Sequence, residues 1–236
     1  MRRVVRGFWG PREESVDSVA RRWEFTLDRL AESLPAAGSG AGWTWRQIHS
    51  SGPATDLVPD KDSLLAALHA VREADGWSAR VGFGLRLVLA GQPDWTIEVS
   101  GNGGGTSEFL LQSMVIGIKS PDTAEIPDAD LLGVVAEGWE PDFGDVTDDD
   151  VLDALEDDAG FAVGEPCVGW VGCLSPSRAA LLPEAMTAAG RELRSGGVLL
   201  AIAPRGDVEG VVRANLQLRD AGALQPLPSP MDRATL

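Results

Sequence analysis

Between residues 83 and 118 the chain alternates apolar and polar side chains in three consecutive runs, and this stretch constrains the fold more than any other. Phe83, Leu85, Leu87 and Leu89 alternate with Gly84, Arg86 and Val88. Trp95, Ile97 and Val99 alternate with Thr96 and Glu98, and residues 109–118 form the third run. A period of two sends successive side chains to opposite faces of a pleated strand, one for the core and one for water. The joints at 91–94 and the glycine-rich 101–105 are too short for a parallel crossover, which takes about a dozen residues. The three runs must form an antiparallel meander.

The flanking segments supply helices to cover it. A strand over 3–9 ends at Gly10-Pro11. Val16, Val19, Trp23, Leu27, Leu30 and Leu34 then follow at steps of three and four. That spacing is one apolar stripe of a helix, stopped by Pro35 and the glycines of 38–42. Residues 43–49 read as a strand. Asp60 or Asp62 caps a second helix through Leu64, Leu65, Leu68 and Val71 that ends at Gly76. Beyond the meander come a helix or turn at 131–135 and an acidic helix through Leu152 and Leu155, capped by Thr147 or Asp148. Short buried strands follow at 167–174 and 198–203, with helices around 178–193 and 208–221. A Pro-rich surface tail closes the sequence at 225–236. Nothing between has the composition of a linker. The 236 residues therefore read as a single α+β domain, a central, mostly antiparallel sheet flanked by helices. Four Gly-Trp pairs, at 42, 76, 138 and 169, are spaced too irregularly for a repeat architecture.

Charge adds a second constraint. The formal net charge is −16, from 36 acids and 20 bases, and it is not spread evenly. No base lies between Lys119 and Arg178, a gap that holds 16 acids. The other 20 acids are balanced by the 20 bases, so the acidic segment at 120–177 supplies the whole imbalance. Such a chain lacks the basic face that direct binding to nucleic acid or an anionic membrane requires. The bland reading of the segment is a solubilising face. Scattered charge would serve solubility without the self-repulsion of a single-sign run, so segregation points to a cationic partner. The candidate contact residues are Glu137, Glu140, Asp142, Asp148, Asp149, Asp150, Asp153, Glu156, Asp157 and Asp158 for steering, with Trp139 as an anchor.

Catalytic and cofactor patterns are missing. The Gly101–Thr106 stretch lacks the GK[ST] ending of a phosphate loop and joins two strands, so no helix N-terminus would face a phosphate. Residues 145–156 partly fit a calcium loop, but position 6 is Asp150 where the turn needs glycine. An N-capped acidic helix explains the same residues. His49 and His69 are the only imidazoles, with no nucleophile motif beside either. Cys167 and Cys173 have no nearby histidine and too few ligands for structural zinc. No cofactor, metal or catalytic residue is expected. The first dozen residues lack the apolar core of a signal peptide, and no run approaches the roughly 18 apolar residues of a membrane span. Reduced cysteines fit a cytoplasmic location.

Arg6-Gly7-Phe8-Trp9-Gly10-Pro11-Arg12-Glu13-Glu14-Ser15, followed by the first helix, resembles the immunity protein 52 family of bacterial polymorphic toxin systems. Similar pieces follow in order: the Trp43 region, Trp139-Glu140-Pro141-Asp142, Val168-Gly169-Trp170 entering a strand, and residues 196–202 before the last helix. Together they cover nearly the whole chain. Where the family often has Tyr after the Gly-Trp strand, this chain has Cys173. The resemblance implies a non-enzymatic α+β protein encoded beside a toxin, commonly a nuclease of restriction-endonuclease-like fold. It binds that toxin and protects the producing cell. A carboxylate-rich surface suits the basic cleft that a nuclease presents to DNA. Two other classes stay open: a calcium-responsive acidic module using 145–156, and a hydrolase built on His49 or His69.

Overall fold

The computed structural model describes residues 2–34, 44–74, 76–90, 94–162 and 164–236. In chain order the elements are β1 (Arg2–Trp9), α1 (Val16–Ser33), β2 (Thr44–Gln47), β3 (Thr55–Leu57), α2 (Lys61–Glu73), β4 (Phe83–Ala90), β5 (Thr96–Gly103) and β6 (Gln112–Lys119). They continue with α3 (Asp128–Trp139), β7 (Phe143–Thr147), α4 (Asp149–Ala159), β8 (Val171–Leu174), α5 (Pro176–Ala179), α6 (Glu184–Ala189), β9 (Arg191–Glu192), β10 (Val198–Ala201) and α7 (Val208–Asp220). The strands form one ten-stranded sheet in the order β3-β2-β4-β5-β6-β1-β7-β8-β10-β9. Every neighbouring pair is antiparallel. The fold class is α+β, a single domain as the periodicity predicts.

The meander is present as β4-β5-β6, with Leu87, Val99 and Ile116 directly opposite one another. Beside it the N-terminal strand takes the middle of the sheet, between β6 and β7. Opposed residues share a face, so Val5, Leu87, Val99, Ile116 and Val146 belong to one buried side. Helices α1, α2 and α3 cover that side. Gly7 is what lets α3 close on β1, because a Cβ there would stand 2.7 Å from Val135 and 3.2 Å from Pro141. The opposite side carries a row in register, Arg46-Val88-Glu98-Gly117-Val4-Thr147. It is covered by α4 and α7 only over the second half of the sheet. Over β4, β5 and β6 its side chains are half-buried or exposed.

Local signals place the helix starts. Ser15 caps α1, and Asp60 caps α2 through the Ser63 amide at 2.8 Å. Asp148 caps α4 through the Val151 amide at 3.2 Å, so it, not Thr147, is the cap, and Gly160 closes that helix at φ 63°.

Several expectations are corrected. Residues 101–103 belong to β5 rather than to a loop. The helix expected around 178–193 is broken by Pro183 into α5, α6 and the short β9. Strand β7 lies where the sequence pattern assigns no element. The 225–236 tail is docked, not free. Met231 is buried and its amide donates to the Glu108 carbonyl at 2.7 Å, and the Gly10 amide donates to the Ala234 carbonyl at 2.9 Å. The expected helix stop at Pro35–Gly42, Trp43 and most of the 91–94 turn lie outside the described residues. Among the described residues no helix is long and apolar enough to cross a membrane.

Candidate functional site

The motif at 6–12 turns out to hold the fold together. Arg6 pairs with Asp145 across β1 and β7. Phe8 stacks on Phe143 with ring centroids 5.3 Å apart, and Trp9 stacks on Trp139 at 5.5 Å. Arg12 donates to the Trp139 carbonyl at 2.8 Å, and Arg22 donates to the Gly138 carbonyl. These two cations satisfy and neutralise the negative end of α3, whose last turn has no base of its own. The chain then turns at Glu140, left-handed at φ 48°. Glu140 is held there by Arg22 at 3.3 Å, an uncommon conformation for a residue with a Cβ.

Trp139 is therefore not an interface anchor. It is fully buried, and its indole N–H donates to the Thr26 hydroxyl at 2.8 Å. Core packing uses both its rings and its one polar atom. Asp142 also leaves the contact set. It is 0% exposed and paired with the equally buried Arg178 at 2.7 Å.

Much of the acidic segment is neutralised at long range. Asp128 pairs with Arg3 and Arg205, Glu140 with Arg22, Asp145 with Arg6, Asp148 with Arg3, Asp149 with Arg2 and Glu165 with Arg219. Strand β1 alone contributes three of these arginines. Burial raises the pKa of the Asp145 carboxyl, against the pull of Arg6, which grips both its oxygens at 3.0–3.2 Å. Asp148 is committed threefold, to Arg3 at 2.8 Å, to the Trp170 indole at 3.1 Å and to the α4 cap.

What remains is narrower than the sequence suggests. Asp150, Asp153, Glu156, Asp157 and Asp158 are exposed, and none makes an ion pair among the described residues. All five lie on α4, whose apolar positions Val151, Leu155 and Ala159 face inward. Glu125, Asp130 and Glu137, also exposed and without an ion pair among the described residues, stand apart, just before and on α3. Helix α4 forms an acidic wall beside the uncovered half of the sheet. Where they meet, Arg2, Asp149, Glu98, Gly117 and Lys119 line one recess of about 500 Å³. Farther along β1 and α4, Arg6, Phe8, Phe143, Leu152, Phe161 and Glu156 line another of about 230 Å³. This corner is the candidate binding surface.

Asp145 lies inside β7 with its carboxylate on Arg6, whereas Asp153 and Glu156 are exposed on α4, so the supposed calcium ligands do not converge. Among the described residues no three His, Cys, Asp or Glu side chains converge as a metal site. His49 meets the Thr55 hydroxyl at 2.8 Å, and the recess it lines holds no carboxylate. His69 is exposed on α2.

Both cysteines are buried, and burial pushes the Cys167 thiol up to about 12 and raises Cys173 as well. Folded protein at pH 8 is expected to resist Ellman's reagent, and guanidinium-unfolded chain to react at once. Unfolded thiols release their protons above about pH 8.5, whereas folded Cys167 holds its proton toward 12. Stability is expected to fall as pH rises through that window. Rapid labelling of folded protein would contradict this burial.

No family model matches the chain, and no curated protein matches it. The Pseudomonas aeruginosa T6SS protein PA0821 is similar in structure, with a TM-score of 0.51 and 17% sequence identity over 94% of this chain and 73% of that one. At that identity the likeness is one of fold.

Proposed function

We propose that this chain is a cytoplasmic, non-catalytic immunity protein that binds a cognate toxin directly, the toxin being a nuclease of restriction-endonuclease-like fold. The observation that carries the reading is the collection of five unpaired, exposed carboxylates on α4 beside an uncovered sheet face. Among the described residues α4 leaves this charge unmatched by any base. A basic nuclease cleft is the complement, and an acidic surface seated there excludes the DNA phosphates. The T6SS designation of the structural neighbour fits a setting of secreted toxins and their immunity partners. The resemblance at residues 6–15 adds the family context.

The test is association with the C-terminal domain encoded by the neighbouring gene, followed by stopped-flow fluorescence. Converting Asp150, Asp153, Glu156, Asp157 and Asp158 to their amides is expected to slow association about tenfold or more at low salt, with the effect shrinking as salt screens the field. Asp148 and Asp149 stay intact, because Asp148 caps α4 and pairs with Arg3, and Asp149 is already paired with Arg2. A neighbouring domain that neither binds this chain nor is inhibited by it would end the immunity reading.

A further inference from the structure

Phe109 and Leu110 are, among the described residues, the one place where two adjacent large apolar side chains both stand in solvent, at 60% and 51% exposure. Nothing loose displays them. The Phe109 amide donates to the Ser107 hydroxyl at 3.3 Å, the Ser107 amide to the Arg80 carbonyl at 3.0 Å, and the docked tail ties down Glu108 through Met231. An apolar pair on a fixed base loses little conformational freedom when it is covered.

Beside the pair runs a groove. Phe109 lines a recess of about 180 Å³, which shares Phe143 and Gly164 with the 230 Å³ recess under α4. Phe143 lines both recesses and stacks on Phe8, and Leu152 lines the one and Leu227 the other. Its rim is acidic. Glu108 and Glu156 line the groove, are exposed and make no ion pair among the described residues. An apolar centre inside a charged rim is the anatomy of a protein contact surface.

We infer that this groove, with Phe109 and Leu110, is where the partner docks, and that the partner presents an apolar side chain flanked by Lys or Arg. The inference rests on the immunity reading and assigns its contact surface. The acidic rim selects the occupant. It repels nucleic acid and anionic lipid alike. A second copy of this chain would bring equivalent acidic rims together in an isologous contact, which like charge opposes.

The experiment measures affinity for the neighbouring gene's C-terminal domain by calorimetry. The double variant Phe109→Ser, Leu110→Ser is expected to bind at least about 30-fold more weakly, with an unchanged melting midpoint because both side chains are exposed. Glu108→Lys with Glu156→Lys is expected to lower the association rate, while Val58→Ser, at another exposed apolar side chain, leaves binding intact. Tight wild-type binding that the serine pair does not weaken overturns the groove and leaves immunity standing. A wild-type chain that does not bind the domain removes the immunity reading and the groove with it. A wild-type dimer in sedimentation that the serine pair dissociates assigns the groove to a second copy and overturns the proposal.

Discussion

Replacing Arg178 with Met is expected to cost about 3–5 kcal/mol of stability, enough to shift a urea midpoint far outside error. The guanidinium is fully buried. It donates to Asp142 at 2.7 Å and to the Ala223 carbonyl at 2.7 Å, and it lies 5.4 Å from the Phe143 ring centre. The other oxygen of Asp142 accepts the Ser175 hydroxyl at 3.0 Å and the Leu236 amide at 2.9 Å. Removing Arg178 strands a carboxylate with no access to water, and a buried charge without its partner is more costly than the absence of the pair. The sharper result is therefore the comparison. Adding Asp142→Asn to Arg178→Met removes the stranded charge and keeps an acceptor for Ser175 and Leu236, so the double variant is expected to recover part of the loss. A single variant within about 1 kcal/mol of wild type would show that the pair is no keystone.

Trp139→Ala is expected to cost about as much, roughly 3–5 kcal/mol, by opening a cavity between α1, α3 and the sheet. The indole stacks on Trp9 at an interplanar angle of 25° and meets Trp23 edge-on at 5.8 Å. Its N–H reaches Thr26, whose hydroxyl donates onward to the Arg22 carbonyl at 2.7 Å. Trp139→Phe keeps most of the ring and loses one hydrogen bond, for which about 1 kcal/mol is expected. Chemical denaturation with partner binding at matched folded concentration separates the two roles. If Trp139→Ala melted like wild type yet no longer bound its partner, Trp139 would be an anchor after all.

Legibility in the sequence followed the range of the forces involved. The meander, the stripe of α1 and the Asp60 cap are all written within a few residues. Strand β7 was not, because Asp145 interrupts the apolar run of a buried strand. Its neutralising Arg6 is 139 positions away. The same distance hid the site. The acids of 120–177 could be counted but not sorted, since Arg2, Arg3 and Arg6 choose their partners only once β1 lies beside β7. Trp139 looks the same in sequence whether it faces a partner or a core. Phe109 and Leu110 read as part of a strand, although the chain there is the loop ahead of β6.

Periodicity and composition by themselves determined the class: an antiparallel sheet, amphipathic helices over it, and a net charge placed wholly in one quarter of the chain. Hydrophobic alternation is a local property, and the count of charges is a sum. The tertiary structure alone decided which carboxylates are cancelled, because ion pairing depends on separation in space and on burial, and neither follows from order along the chain. It sorted a segment of 16 acids into those cancelled by distant arginines and those left in solvent, five of them together on α4.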